Sequence, residues 1–150
     1  MNPTLMKYRS LFLQPWAVST GMTVLRIWLG AMMIFHGSGK VFDGMVKITA
    51  SLTERGWPMP WLQAFMASYV EFAGGILLVV GLFTRPVAAI AAGMFAVIGF
   101  VFHGADPFGK KELALCYLVM AAIVFLAGPG RLSVDQQIFN AAQNAEHERD

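Results

Sequence analysis

The sequence of 150 residues predicts an all-α fold, a membrane-spanning four-helix bundle with a short amphipathic C-terminal helix. Three observations predict it. Charge is scarce, since 57% of the residues are hydrophobic, 13% are charged and mean hydropathy is +0.58. A soluble domain carries about 25% charged residues, so this chain has about half the charge that a water-facing surface needs. The charges are also excluded from long blocks. Residues 86–105 and 113–130 hold no Asp, Glu, Lys or Arg, residues 56–84 hold only Glu71, and residues 11–39 hold only Arg26. A bilayer core about 30 Å thick takes about 20 helical residues to cross. Four such segments in a chain this short leave little else to bury them, so lipid must do it.

The first helix is expected over about residues 20–38. Lys7 and Arg9 precede it as in a signal peptide, but the apolar stretch is too long and holds Arg26 and Trp28, so it reads as a retained helix. Residues 39–63 read as a long connection, ending in Trp57-Pro58-Met59-Pro60-Trp61. Prolines oppose regular helix there, and tryptophans suit the membrane interface. Helix two is expected over 64–83 and helix three over 87–102. Thr84-Arg85-Pro86 joins them too tightly for anything but an antiparallel hairpin, with Pro86 at the first helical position. Arg85 is read as a structural anchor for a lipid phosphate or a helix C-terminus. Helix four follows at 113–127.

After Gly128-Pro129-Gly130, Ser133 and Gln136 have the spacing of a capping box. They open a surface helix over about 133–143, with Val134, Ile138 and Phe139 on its apolar side. Residues 146–150 read as a frayed tail. The whole chain, 1–150, reads as a single transmembrane domain. An even helix count puts both termini on one side, and Lys7 and Arg9 favour the cytoplasm.

Composition excludes several function classes. A net charge of +2 gives no nucleic-acid footprint. One cysteine, Cys116, makes no internal disulfide, CxxC pair or Cys-ligated cluster. Redox chemistry here would need a bound cofactor or a partner. No Gly-rich phosphate loop, Ser/His/Asp set or metal-ligand spacing is present, so no metal site is expected.

The informative residues are the charges inside the apolar blocks. Insertion of an Arg or Asp at mid-helix costs about 2.5–3.5 kcal/mol. Arg26, Gly30, Met33, Gly37 and Lys40 share one helical face; Ala67, Glu71, Gly74 or Gly75, Leu78 and Gly81 share another. Small residues beside a charge let two helices approach closely. These faces are expected to meet inside the bundle, with Arg26 paired to Glu71 directly or through water. Such a pair either fixes helix register or serves as a proton or substrate site. A second cluster gathers at the other ends of the helices: His36, Lys40, His103, Asp106 and Glu112. Two histidines at one depth suit a metal, a haem or a hydrogen bond to a quinone carbonyl, though neither has metal-ligand spacing, or loop carbonyls in a purely structural setting. Glu112 also suits the positive end of helix four. Arg26, Glu71, His36, Lys40, His103 and Glu112 are therefore the candidate ligand-binding or proton-relay residues.

Three segments together resemble the DoxX family of small four-helix membrane proteins. They are LRIWLGAMMIFHGSGK with Arg26, Gly30, Gly37 and Lys40; EFAGGILLVVGLFTRPVAA from Glu71 through Arg85; and GPGRLSVDQ from Gly128. The resemblance spans about residues 25–136. It implies a bundle in a bacterial inner membrane. For some relatives it implies a subunit of a thiosulfate:quinone oxidoreductase or of a membrane oxidoreductase complex in oxidative or thiol stress. The leading expectation is thus an integral membrane subunit of a redox or quinone-linked complex. Its intramembrane polar pocket would take a small amphipathic ligand such as a quinone. The alternative is a non-enzymatic membrane scaffold or small-molecule carrier. The bilayer is the first partner, a protein of a membrane complex the second, and the small-residue faces also suit a homo-oligomer.

Overall fold

A chain this poor in charge has to satisfy its backbone within helices, because lipid offers backbone polar groups no partner. The computed structural model describes residues 15–147, which are helical with no strand among them. The helices are α1 (Pro15–Gly39), α2 (Met45–Glu54), α3 (Pro60–Val80), α4 (Thr84–Ala96), α5 (Phe108–Ala127) and α6 (Val134–His147). Lys40–Gly44 links α1 to α2 as a π-helical turn, and Val97–Phe102 prolongs α4 in the same form. Lys7, Arg9 and the last three residues of the tail expected to fray lie outside the described residues.

Three stretches, residues 18–54, 60–80 and 84–102, are long and apolar enough to cross a membrane. α5 has 20 residues but opens with Lys110, Lys111 and Glu112 in its first turns. Its uncharged part is the shorter stretch 113–127.

The connection expected at 39–63 is mostly helix instead. No proline occurs between Pro15 and Pro58, so nothing in that stretch forbids the helical hydrogen bonds. Leu52 is buried while Lys47, Thr53 and Glu54 are exposed, the pattern of an amphipathic helix. The backbone turns left-handed at Gly56, two residues before Pro58, and again at Met59.

α1 lies along α3 at backbone contact. A Cβ on Gly30 would sit 2.7 Å from the Gly75 carbonyl oxygen, and one on Gly75 would sit 2.7 Å from that of Gly30. Further along, a Cβ on Gly37 would lie 2.5 Å from the Phe72 nitrogen. These contacts run antiparallel. α4 packs on α5 through Ala88, Ala91, Phe95, Ala114, Tyr117 and Ala121, all buried. The large apolar side chains point the other way: Trp28, Phe35, Phe100 and Phe125 are exposed. Small and polar residues inside with large apolar residues outside suit a lipid surround.

The terminal end of the bundle is interlocked. α3 stops at Gly81, whose φ of +77° is the left-handed conformation that a C-terminal glycine supplies; its N–H donates to Leu77 O at 2.8 Å. α6 starts as the sequence predicts, with the Ser133 hydroxyl accepting from the Gln136 N–H at 3.2 Å. The return half of the capping box is not made. Gln136 donates its side-chain amide to Asn140 at 3.0 Å. Ile138 and Phe139 remain exposed.

Candidate functional site

Ser68, Glu71, Gly74, Gly75 and Leu78 recur at three- and four-residue steps, so α3 turns them all to its buried face. Glu71 is 2% exposed. Its Oε1 accepts from Lys40 Nζ at 2.5 Å, and its Oε2 is buried without a hydrogen-bond partner among the described residues. The cation beside Glu71 is therefore Lys40 and not Arg26, as the shared helix faces had suggested.

The reason is register and side-chain direction. With Gly30 opposite Gly75 in an antiparallel pair, Glu71 is level with residue 34 of α1. Arg26 is eight residues below that level, about 12 Å at 1.5 Å per residue. Helical side chains also lean towards their own N-terminus. Arg26 thus leans away from Glu71, while Lys40, above it, leans back towards it.

Arg26 serves the other end of the bundle. It is fully buried and donates to the carbonyls of Leu78, of Val79 at 2.9 Å and of Leu132 at 2.5 Å. Leu78 and Val79 are among the last residues of α3, whose carbonyls lack helical partners and carry the negative end of the helix dipole. Nearby, the Asp135 carboxylate accepts the N–H groups of Phe83 and Thr84, each at 2.9 Å, and so caps α4. Burial pushes this carboxyl up. The N–H donors of Thr84 and Phe83 and the Arg26 charge outweigh that and hold it below its ordinary value. Arg85 is exposed, and its guanidinium borders the Gly128 turn, where a Cβ would come within 3.3 Å of Nη2.

A half-open cavity of about 680 Å³ lies on the Lys40 side of the bundle. α2, α3 and the prolonged α4 wall it, with Leu52, Met66, Val70, Ile90 and Met94 among its apolar lining. Its polar groups are Lys40, Lys47, Ser51, Gln63 and His103. His103 Nδ1 lies 2.7 Å from Asp106 Oδ2. That hydrogen bond holds the Asp106 carboxyl below its ordinary value; burial opposes the shift, and the charges of Lys110, His103 and Arg55 add to it. Arg55 braces the rim by donating to Phe102 O at 2.9 Å, with its guanidinium 4.3 Å from the centre of the Phe102 ring. The Trp57 ring meets the same phenyl edge-on at 5.7 Å. Both π-helical turns border this cavity, one through Lys40 and the other through Val97, Ile98 and Phe102. Such turns recur at functional sites because the extra residue re-aims side chains within a helix.

The structure therefore brings Lys40, Glu71 and His103 to one region. His36 packs edge-on against Tyr117, with ring centroids 5.9 Å apart, and Tyr117 stacks on Phe95. Arg26 lies at the opposite end, and Glu112 is exposed and does not line the cavity. Lys47 and Tyr117 were missed as site residues. Lys47 lies seven residues after Lys40, a two-turn helical spacing visible only once 40–54 is read as helix. Tyr117 offered no charge to mark it.

Apolar helices of membrane length, a buried ion pair and a polar-rimmed cavity define a small integral membrane bundle. Residues 21–104, more than half the chain, match the DoxX family profile. A protein of Haemophilus influenzae is 32% identical over 140 residues, covering 89% of this chain and 95% of its own. Inner membrane protein YphA of Escherichia coli is 33% identical over 129 residues, covering 77% and 89%. CatD of Bacillus subtilis, whose name marks it provisionally as an oxidoreductase, is 28% identical over 125 residues, covering 83% and 91%. The chain belongs to the DoxX family. No solved structure matches it.

Proposed function

We propose that this chain is a multi-pass subunit of a redox or quinone-linked complex in a bacterial inner membrane, and that its cavity takes a small amphipathic ligand. The observation that carries the reading is the cavity itself, about 680 Å³, mostly apolar, with Lys40 and His103 on its lining. Ligand sites have this make-up, an apolar pocket of about 300–1,000 Å³ with a few placed polar groups. Two relatives named as inner membrane proteins and one named provisionally as an oxidoreductase support the setting.

The residues suit a quinone head group. Its carbonyls accept hydrogen bonds and the hydroxyls of its reduced form donate them; Lys40 is a donor, and with His103 Nδ1–H donating to the Asp106 carboxylate, Nε2 is left to accept from such a hydroxyl. A bound quinone would supply the electron-transfer chemistry that one cysteine lacks. Glu71 positions Lys40, and the Tyr117–His36 contact closes the bundle behind it. In this reading Arg26, Arg85 and Asp135 hold the fold. The chain forms one domain with four spans and cytoplasmic termini, α5 being the fourth span.

The test is binding of a decyl-chain quinone to the purified protein, with the lipid extract examined for quinone. Lys40→Met and His103→Ala are expected to weaken binding at least about tenfold, the scale of a charge-assisted hydrogen bond. Unchanged binding in both variants would remove the cavity from the account. Solute uptake by vesicles with no quinone binding would favour the carrier reading.

A further inference from the structure

The cavity's charge is one-sided. Among the described residues its titratable lining consists of Lys40, Lys47 and His103, all bases, with no carboxylate. Two of the three are compensated from behind, Lys40 by Glu71 and His103 by Asp106. Lys47 has neither an ion pair nor a hydrogen bond to any described residue. Asp43 stands four residues before it, but the π-helical turn 40–44 intervenes and the two do not pair. The cavity therefore carries an uncompensated positive charge beside an apolar wall. Low-dielectric walls strengthen such a charge's attraction for an anion.

The apolar wall indicates the shape of the rest of the ligand. Met66 of α3 and Ile90 of α4 line the cavity yet remain 51% and 56% exposed, so the cavity opens on that side. The volume suits one small ligand rather than a two-chain lipid. We propose, resting on the cavity's role as a ligand site, that beside a neutral quinone head it accepts a single-chain amphipathic acid. The anionic head pairs with Lys47, with Lys40 as a further donor, and the tail runs out past Met66 and Ile90.

Equilibrium binding to protein in phosphatidylcholine nanodiscs tests this with three probes of equal chain length: dodecanoate, dodecanol and dodecyltrimethylammonium. Dodecanoate is expected to bind about tenfold or more tighter than dodecanol, and the ammonium weakest. Lys47→Gln should bring dodecanoate down to the dodecanol level and leave dodecanol unchanged, while Lys47→Arg should keep the preference. Equal binding of dodecanoate and dodecanol, or no effect of Lys47→Gln, would overturn the assignment. Loss of dodecanoate binding when phosphatidylglycerol replaces part of the lipid would overturn it in favour of a lipid head group. Binding of the decyl-chain quinone without dodecanoate binding would overturn the acid and leave the cavity standing. Binding of neither would overturn both.

Discussion

The Lys40 ammonium lies 2.5 Å from the Glu71 carboxylate and ties the end of α1 to the middle of α3. Glu71 is 3% exposed in its side chain and Lys40 is 32% exposed, so the pair is buried on one side and open on the other. Removing one partner of a fully buried pair costs about 3–5 kcal/mol, because the other charge is left stranded. Discounted for the exposure of Lys40, Lys40→Met should cost about 2–3 kcal/mol. The double variant Lys40→Met with Glu71→Gln should recover much of that loss. Thermal unfolding of the detergent-solubilised set checks it; additive losses would show that the pair is not coupled.

The α1–α3 crossing should tolerate no side chain at its glycines. Gly75→Ala places a methyl 2.7 Å from the Gly30 carbonyl oxygen and 2.9 Å from the Ile34 nitrogen, so backbone must move. Overpacking of this kind costs about 1–3 kcal/mol. Gly21 sits in the same α1 with no described residue within 4 Å of its Cβ position. Gly21→Ala should be neutral or stabilise by up to about 1 kcal/mol. Opposite signs of ΔTm for the two substitutions are the expected result.

Arg26 is the link between α3 and the chain that leads into α6. With Arg26→Met the Leu132 carbonyl and the last carbonyls of α3 lose their donor. Hydrogen exchange should then rise at residues 133–137 before it rises at the α1–α3 crossing. A uniform rise across both regions would instead mean global destabilisation.

Acid sensitivity should trace to Asp135. Its carboxyl sits below the ordinary value in the folded chain, so its contribution is full above the unfolded carboxylate pKa of about 4 and is lost as pH falls through the folded value. Asp106 shifts in the same direction. Asp135→Asn should flatten the acid limb of a stability–pH curve and cost about 1 kcal/mol near neutral pH through the weakened cap on Phe83 and Thr84. An acid limb as steep as the parent's would place the sensitivity elsewhere.

Much of the bundle was legible because its cause is local. The uncharged blocks around Arg26 and Glu71 marked the helices, and Gly30, Gly37, Gly74 and Gly75 marked the faces that meet. The partner of Glu71 was not legible. Helical periodicity says which residues share a face; it does not say at what height two faces meet or which way a long side chain leans. Lys47 was hidden for a related reason: residues 39–63 read as a connection until Leu52 is seen to be buried, which makes 45–54 an amphipathic helix.

By itself, the sequence determined that this is an all-helical membrane protein of the DoxX type, with Arg26 and Glu71 on inward faces. Hydrophobicity and small-residue spacing are properties of single segments and can be read one segment at a time. Tertiary structure decided that Arg26 joins the end of α3 to the chain leading into α6, that Lys40 neutralises Glu71, and that Lys47 and His103 line one cavity. Those outcomes depend on the antiparallel register set at Gly30 and Gly75, where two backbones touch, and no single segment encodes it.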